Sequence, residues 1–329
     1  MKKNLIIVIM LLTGSLVSAQ TQQGVVKLRG TRLTYPLVNK WIEEFSKEYP
    51  NIKVTIAPNA PADSIDFNIA AYGLTDKDFQ GNKEGVAIAR YVQLPVANSK
   101  RGDLASLQEK GFTEKDFNNL YFTSGTPDLF ASSQAKSPIT LYTREKPACA
   151  AHTFAKHYGN DAATLQGTGV KGDDKDLANA VRNDVNGISF NNLGFVYDIK
   201  TRKVSEGLAV IPLDLNENGK VDKDEKVYAT LDEVIGYIEK TNNRKFVTER
   251  VNFVFSKNSA NRSAGVFLHW VLSKGQRFNH GIGFLELDEK TLTAQKVISS
   301  SVFKVTSVQS CEGASDITQQ RKAKLASNK

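Results

Sequence analysis

The sequence predicts an α/β protein built on mainly parallel sheets, and three observations predict it. Short β-rich runs alternate with helical ones along the chain. A strand, tight loop, helix and strand follow one another within residues 28–56. No internal repeat, heptad pattern or low-complexity linker divides the chain, so two domains would not be parted by a simple shift in composition. A chain that crosses between two lobes more than once would explain that.

The unit at 28–56 organises the rest. Residues 25–28 (Val-Val-Lys-Leu) are apolar, and Gly30 permits a sharp turn after them. Thr34 is placed as an N-cap, with Pro36 in a first helical turn that tolerates a missing N–H. Leu37, Val38, Trp41, Ile42 and Phe45 recur at helical spacing, giving one apolar face. Tyr49 precedes Pro50, which pushes the chain out of the helix. Ile52, Val54 and Ile56 then alternate with polar residues, as in a strand. A loop that opens a helix beside strand ends presents free backbone N–H groups, a ready anion site.

Further along, a Pro-, Ala- and Asp-rich loop covers 57–64, and 65–71 reads as a short buried strand. Residues 74–79 form a polar, partly helical turn, and 86–94 an apolar strand followed by Pro95. Two helical pieces parted by Gly111 fill 104–122, the second capped by Thr113. A strand at 139–143 leads to a loop at 144–151 and a helix starting within 153–158. Aspartates at the start of 172–184, with Leu177, Ala178 and Val181 on one face, predict a helix. Residues 187–197 are strand-like; 232–239 are helical, with Thr230 as cap; 251–255 alternate as a strand; 264–273 form an apolar helix carrying His269 and Trp270. From Gln320 the chain is polar and basic and is expected to fray.

At the N-terminus, Lys2 and Lys3 precede an apolar run and then Val17-Ser18-Ala19. This predicts a secretory signal peptide over 1–19, cleaved near Ala19, and a periplasmic or secreted protein. The apolar run is short for a membrane span, no basic flank follows it, and no later stretch is long and apolar enough to cross a bilayer. An integral membrane protein is therefore not expected. Removal of Lys2 and Lys3 lowers the formal charge from +8 to +6. Such scattered, mildly basic charge suits anionic ligands, and without a dense Lys/Arg block it argues against nucleic acid. The mature chain is long enough for two domains. Cys149 and Cys311 are either bridged in an oxidising compartment or two buried thiols.

The run Gly30-Thr31-Arg32-Leu33-Thr34-Tyr35-Pro36, followed by Lys40-Trp41, resembles the opening of the periplasmic phosphate-binding proteins of ABC importers. There a Gly-rich loop ends in Thr-Phe-Pro before the first helix. The resemblance continues in order through Asp66-Phe67-Asn68, Leu94-Pro95-Val96-Ala97-Asn98, Gly111-Phe112-Thr113 and Gly187-Ile188-Ser189-Phe190. It implies a two-lobe type II binding fold with mixed, mainly parallel sheets, flanking helices and a hinge of two crossings. Lobe 1 would comprise 24–94 and 251–329, and lobe 2 would comprise 95–250. It also implies Thr34 and Tyr35 as first-lobe contacts to phosphate and Arg144 as the second-lobe anchor. The chain departs from the family pattern after Arg144. Ala148-Cys149-Ala150 replace Ser-Gly-Thr, Ala71 replaces an acid, and the loop at 57–64 is short. Each buried phosphate oxygen left unpaired costs about 1–3 kcal/mol, so backbone donors would have to substitute.

Residues 214–225 (DLNENGKVDKDE) carry a separate signal and resemble an EF-hand loop. Asp214, Asn216 and Asn218 supply alternate side-chain oxygens, Gly219 makes the turn, and the Lys220 carbonyl offers a backbone oxygen. Asp222 ligates directly or through water, and Glu225 closes the site with both oxygens. This pattern predicts a structural Ca²⁺ ion of modest affinity. A strand-like lead-in replaces the long entering helix.

The four histidines, His152, His157, His269 and His280, lack zinc spacing, and no nucleophile elbow or Walker loop is present. No enzyme is expected. The expected function is an exported, monomeric solute-binding protein that captures a small oxyanion, phosphate or a similar ion, in an interlobe cleft and serves an ABC permease. The alternative is a binding fold without a ligand, acting as an interaction or scaffold module.

Overall fold

The structure, a computed structural model, describes residues 24–123, 138–146 and 148–303. The signal peptide expected over 1–19, Cys311 with its pairing, and the basic tail lie outside the described residues.

The chain opens with β1 (Gly24–Gly30), a 3₁₀ turn (Arg32–Thr34), α1 (Tyr35–Glu48) and β2 (Ile52–Ile56). β3 (Phe67–Ala70) and a capped 3₁₀ turn (Asp76–Phe79) lead to β4 (Lys83–Asn98). Next come α2 (Leu104–Lys110), α3 (Glu114–Tyr121), β5 (Thr140–Arg144) and α4 (Cys149–His157). They are followed by β6 (Thr168–Val170), α5 (Asp174–Asn183), β7 (Gly187–Asn192), α6 (Leu193–Val196) and β8 (Leu208–Val210). The described chain ends with α7 (Leu231–Thr241), β9 (Val247–Ser256), α8 (Arg262–Trp270) and α9 (Glu289–Phe303).

One mixed sheet runs β2-β1-β3-β9-β4-β7-β5-β6, with β8 beside β4. Its wings are parallel: β1 pairs with β2 and β3, and β5 pairs with β6 and β7. Its middle is antiparallel, because β4 and β9 run against each other and against their other partners. β4 is 16 residues long. Its first part pairs with β9, from Lys83↔Ser256 to Gln93↔Val247, and its last part with β7, from Gln93↔Asn192 to Ala97↔Ile188.

Pro95 therefore lies inside β4, opposite Phe190. Its carbonyl accepts from Ile211 N at 3.0 Å. Burial of Val92, Leu94, Val96 and Ala97 continues the strand past the missing ladder donor.

Two hydrophobic cores result. One gathers Val26, Leu28, Trp41, Phe45, Phe253 and Trp270; the other gathers Val92, Leu94, Phe117, Phe154, Phe190 and Ile235. The change from one to the other falls between Tyr91 and Val92 on β4, and between Val247 and Val251 on β9. Both strands thus pass through both cores. A further tie lies near the end of the described chain. Leu285 packs into the second core while Phe284 and Leu287 pack into the first. Arg90 and Leu285 exchange backbone hydrogen bonds of 3.1 and 2.9 Å.

Three local expectations change. α4 begins at Cys149, inside the stretch expected to be loop. The strand expected over 187–197 ends at Asn192 and continues as one helical turn, α6. α9 had no counterpart in the sequence reading; its apolar positions are spread around the helix, and only Ser299 and Phe303 are fully buried.

Candidate functional site

A cavity of about 260 Å³ lies between the two cores. Gly30, Thr31, Arg32 and Leu33 wall it from the first lobe; Arg144, Ala148, Cys149, Ala150, Asp173 and Asp174 wall it from the second. Gly30 is required by local geometry. Its φ is +148°, and a Cβ there would stand 2.2 Å from the Ile69 carbonyl oxygen.

Arg144 is the last residue of β5, with its side chain 11% exposed. Its Nη2 donates to the Gly172 carbonyl. Its Nη1 stands 3.8 Å from Asp174 Oδ2 and is buried without a hydrogen-bond partner among the described residues. From the other lobe, Arg32 Nη2 donates to the same Gly172 carbonyl at 2.8 Å. One oxygen thus bridges guanidinium groups from both lobes. Asp174 is 7% exposed. Burial pushes its carboxyl above the usual range, with Asp173 adding to the rise and the charges of Arg144 and Arg32 opposing it.

Two helices start at this cavity, and they differ. α5 is capped by its own sequence: Asp173 accepts from Lys175 N at 3.0 Å, while Asp173 N donates to Asp176 at 2.7 Å. α4 has Ala148 at its N-cap and no side-chain cap. Its first-turn N–H groups, the positive end of the helix dipole, therefore face the cavity uncapped.

Of the three expected ligand-binding residues, Arg144 lines this cavity and the other two do not. Thr34 is fully buried, and its hydroxyl donates to the Thr31 carbonyl at 2.8 Å. It stands at the N-cap of α1 without capping it, because the 3₁₀ turn at Arg32–Thr34 has already begun the helical path. The Tyr35 hydroxyl donates to the Gly30 carbonyl at 3.2 Å, and its ring lines a different cavity on the first lobe. Arg32, Gly172 and Asp174 went unread as site residues. The only sequence signal was the Gly172-Asp173-Asp174 helix start, which also describes an ordinary cap.

In the 214–225 loop, Asp214 accepts from Gly219 N at 2.8 Å, and Glu225 accepts from Leu215 N at 2.9 Å and from Asp222 N at 2.8 Å. Asp214 and Glu225 are buried. Asn216 and Asn218 each turn an amide N–H onto Asp222 Oδ2, at 3.0 and 2.7 Å. The Lys220 side chain pairs with Asp222 at 3.1 Å. These three neighbours hold the Asp222 carboxyl below its usual range. Gly219 has φ +88°, as the turn requires. Among the described residues no group of three His, Cys, Asp or Glu side chains is close enough to hold a metal.

No protein-family model and no curated protein matches the chain. Its fold does match solved structures. A candidate phosphate ABC transporter substrate-binding protein from Clostridium perfringens, with bound phosphate, superposes with a TM-score of 0.61 at 15% identity, covering 80% of this chain and 100% of that one. An ABC-type phosphate transport receptor from Vibrio cholerae gives 0.56 at 12% identity, covering 80% and 100%. A candidate phosphate-binding protein from Planctomyces limnophilus gives 0.52 at 14% identity, covering 85% and 99%. At such identities the likeness shows the fold: a mixed α/β sheet flanked by helices, of the periplasmic-binding-protein kind. No helix among the described residues is long and apolar enough to cross a membrane.

Proposed function

We propose that this chain is an exported solute-binding protein that captures a small oxyanion in the interlobe cavity and closes its lobes about the β4/β9 crossings. The observation that carries the reading is the meeting of two features on the second-lobe wall of one cavity: the uncapped start of α4 and the partly unsatisfied Arg144 guanidinium. Both stabilise negative charge, the first through backbone N–H groups and the second through charge-assisted hydrogen bonds. In this reading an entering oxyanion replaces the Gly172 carbonyl as the acceptor shared by Arg144 and Arg32. Lobe closure then follows from the anion contacting both sides. Delivery to an ABC permease belongs to the same reading, supported by the fold and by what the matched structures bind.

The test is calorimetric titration of the mature chain with phosphate and with sulfate. Arg144→Ala should weaken binding about 10–100-fold, the worth of a charge-assisted hydrogen bond of about 1.5–3 kcal/mol. Absence of heat with either ion would sink the proposal. It would favour the second reading, a binding fold that serves as an interaction module. That reading is supported by the Ala148-Cys149-Ala150 wall and by two arginines already engaged with Gly172.

We further propose that Asp214, Asn216, Asn218, the Lys220 carbonyl, Asp222 and Glu225 bind a structural Ca²⁺ ion. Support comes from the spacing and from the left-handed turn at Gly219; Asn216 and Asn218, whose amide N–H groups now donate to Asp222, would have to turn their oxygens inward to ligate. Addition of Ca²⁺ to chelator-treated protein should raise Tm by several degrees, and Asp214→Ala should remove the response. A Tm insensitive to both Ca²⁺ and chelator would count against the site.

A further inference from the structure

The interlobe cavity is balanced in charge, with Arg32 and Arg144 against Asp173 and Asp174. Uncompensated positive charge lies elsewhere. About 500 Å³ of space opens on the first lobe, walled in part by the last residues of β1, by β3 and by Lys83 at the start of β4. Arg29, Lys77 and Lys83 contribute to its wall, together with the rings of Tyr35 and Tyr72. Arg29 Nε donates to Asn68 Oδ1 at 3.0 Å and Nη1 to the Ala60 carbonyl at 3.3 Å. Both partners are neutral, so they orient the guanidinium and leave its charge in place.

Among the described residues Arg29, Lys77 and Lys83 form no ion pair. Asp78 is the sole carboxylate among the described lining residues. It is already held by the Tyr72 hydroxyl at 2.7 Å, Thr75 N at 2.8 Å and the Thr75 hydroxyl at 3.0 Å. The wall therefore carries a formal charge of +2.

We propose that this first-lobe cavity is a second binding site, for an anion bearing a diphosphate group. Its volume is that of a pocket for a small organic molecule, and one tetrahedral ion would fill only part of it. Two linked phosphates carry enough charge and length to meet cations placed on separate strands and turns. Gly30 lines both cavities, so the two sites adjoin without sharing a charged residue. The inference stands independently of the interlobe oxyanion reading.

The test is titration of the full mature chain at low salt with pyrophosphate, orthophosphate and ADP. Pyrophosphate should bind at least tenfold more tightly than orthophosphate. Lys77 and Lys83 are exposed, so the K77A/K83A variant should keep the fold, as checked by circular dichroism. It should lose at least tenfold in pyrophosphate affinity; R29Q should lose a similar factor, and R144A less than twofold. ADP binding as tightly as pyrophosphate assigns an organic diphosphate, and ADP failing where pyrophosphate binds assigns a condensed phosphate. No pyrophosphate binding at millimolar concentration overturns the proposal. So does an affinity unchanged in both K77A/K83A and R29Q. Loss of pyrophosphate binding in R144A alone also overturns it, and it leaves the interlobe reading standing.

Discussion

The Gly172 carbonyl sits between Arg32 of one lobe and Arg144 of the other, with the Asp174 carboxyl close by. A negative charge at Asp174 opposes any anion that enters. Burial raises its pKa, so the group takes up its proton at a higher pH than an ordinary aspartate. Protonation removes the repulsion. Sulfate keeps a constant charge from pH 5 to 8 and is the suitable probe. Its affinity should rise as pH falls through the raised Asp174 pKa, and Asp174→Asn should flatten the profile while strengthening binding at neutral pH. A wild-type profile that is flat, or that rises with pH, would remove Asp174 from the site. Arg144 was legible only through the resemblance, which places an arginine at the opening of the second-lobe loop. The inward turn of Thr34 was not, because it depends on the 3₁₀ turn that precedes α1.

Among the elements, α4 differs from its neighbours. α3 and α5 each carry a capping box, from Thr113 with Asp116 and from Asp173 with Asp176. α4, with Ala148 at its N-cap, has none. Ala148 has the extended backbone of an N-cap, φ −112° and ψ 175°, so a capping side chain fits there without strain. Ala148→Asp should therefore stabilise the protein by about 1 kcal/mol in urea unfolding. The same carboxylate would occupy the anion's place, so oxyanion affinity should fall at least tenfold. A gain in stability with no loss of affinity would mean that the helix start is not part of the site. The missing cap also explains why the sequence reading began this helix near Thr153: Cys149, Ala150 and Ala151 carry no start signal.

At the scale of the whole molecule, two cores share two uninterrupted strands. Both tryptophans, Trp41 and Trp270, are in the first core. Tryptophan fluorescence therefore reports that lobe, whereas far-UV circular dichroism reports both. β4 and β9 cannot lose their pairing in one lobe without exposing the other, and Leu285 ties the second core to the segment between α8 and α9. The two signals should give coincident urea transitions, as expected for a single cooperative unit. Separated midpoints would show that the lobes unfold independently.

The sequence by itself determined the local grammar of this protein: the β1–α1–β2 unit, the apolar faces of α1 and α5, and the caps at Thr113, Asp173 and Thr230. These depend on spacings within one or two turns of chain, and neighbouring residues suffice to specify them. Tertiary structure decided what depends on distant partners. The continuation of β4 through Pro95 follows from burial in a second core assembled from residues far along the chain. The meeting of Arg32 with Arg144 at Gly172 brings Arg32 to a carbonyl 140 residues away in sequence. Charge balance follows the same rule, since a cation is compensated or free according to what the fold sets beside it. Arg144 is beside Asp174, while Arg29, a similar residue in sequence terms, is set beside neutral acceptors.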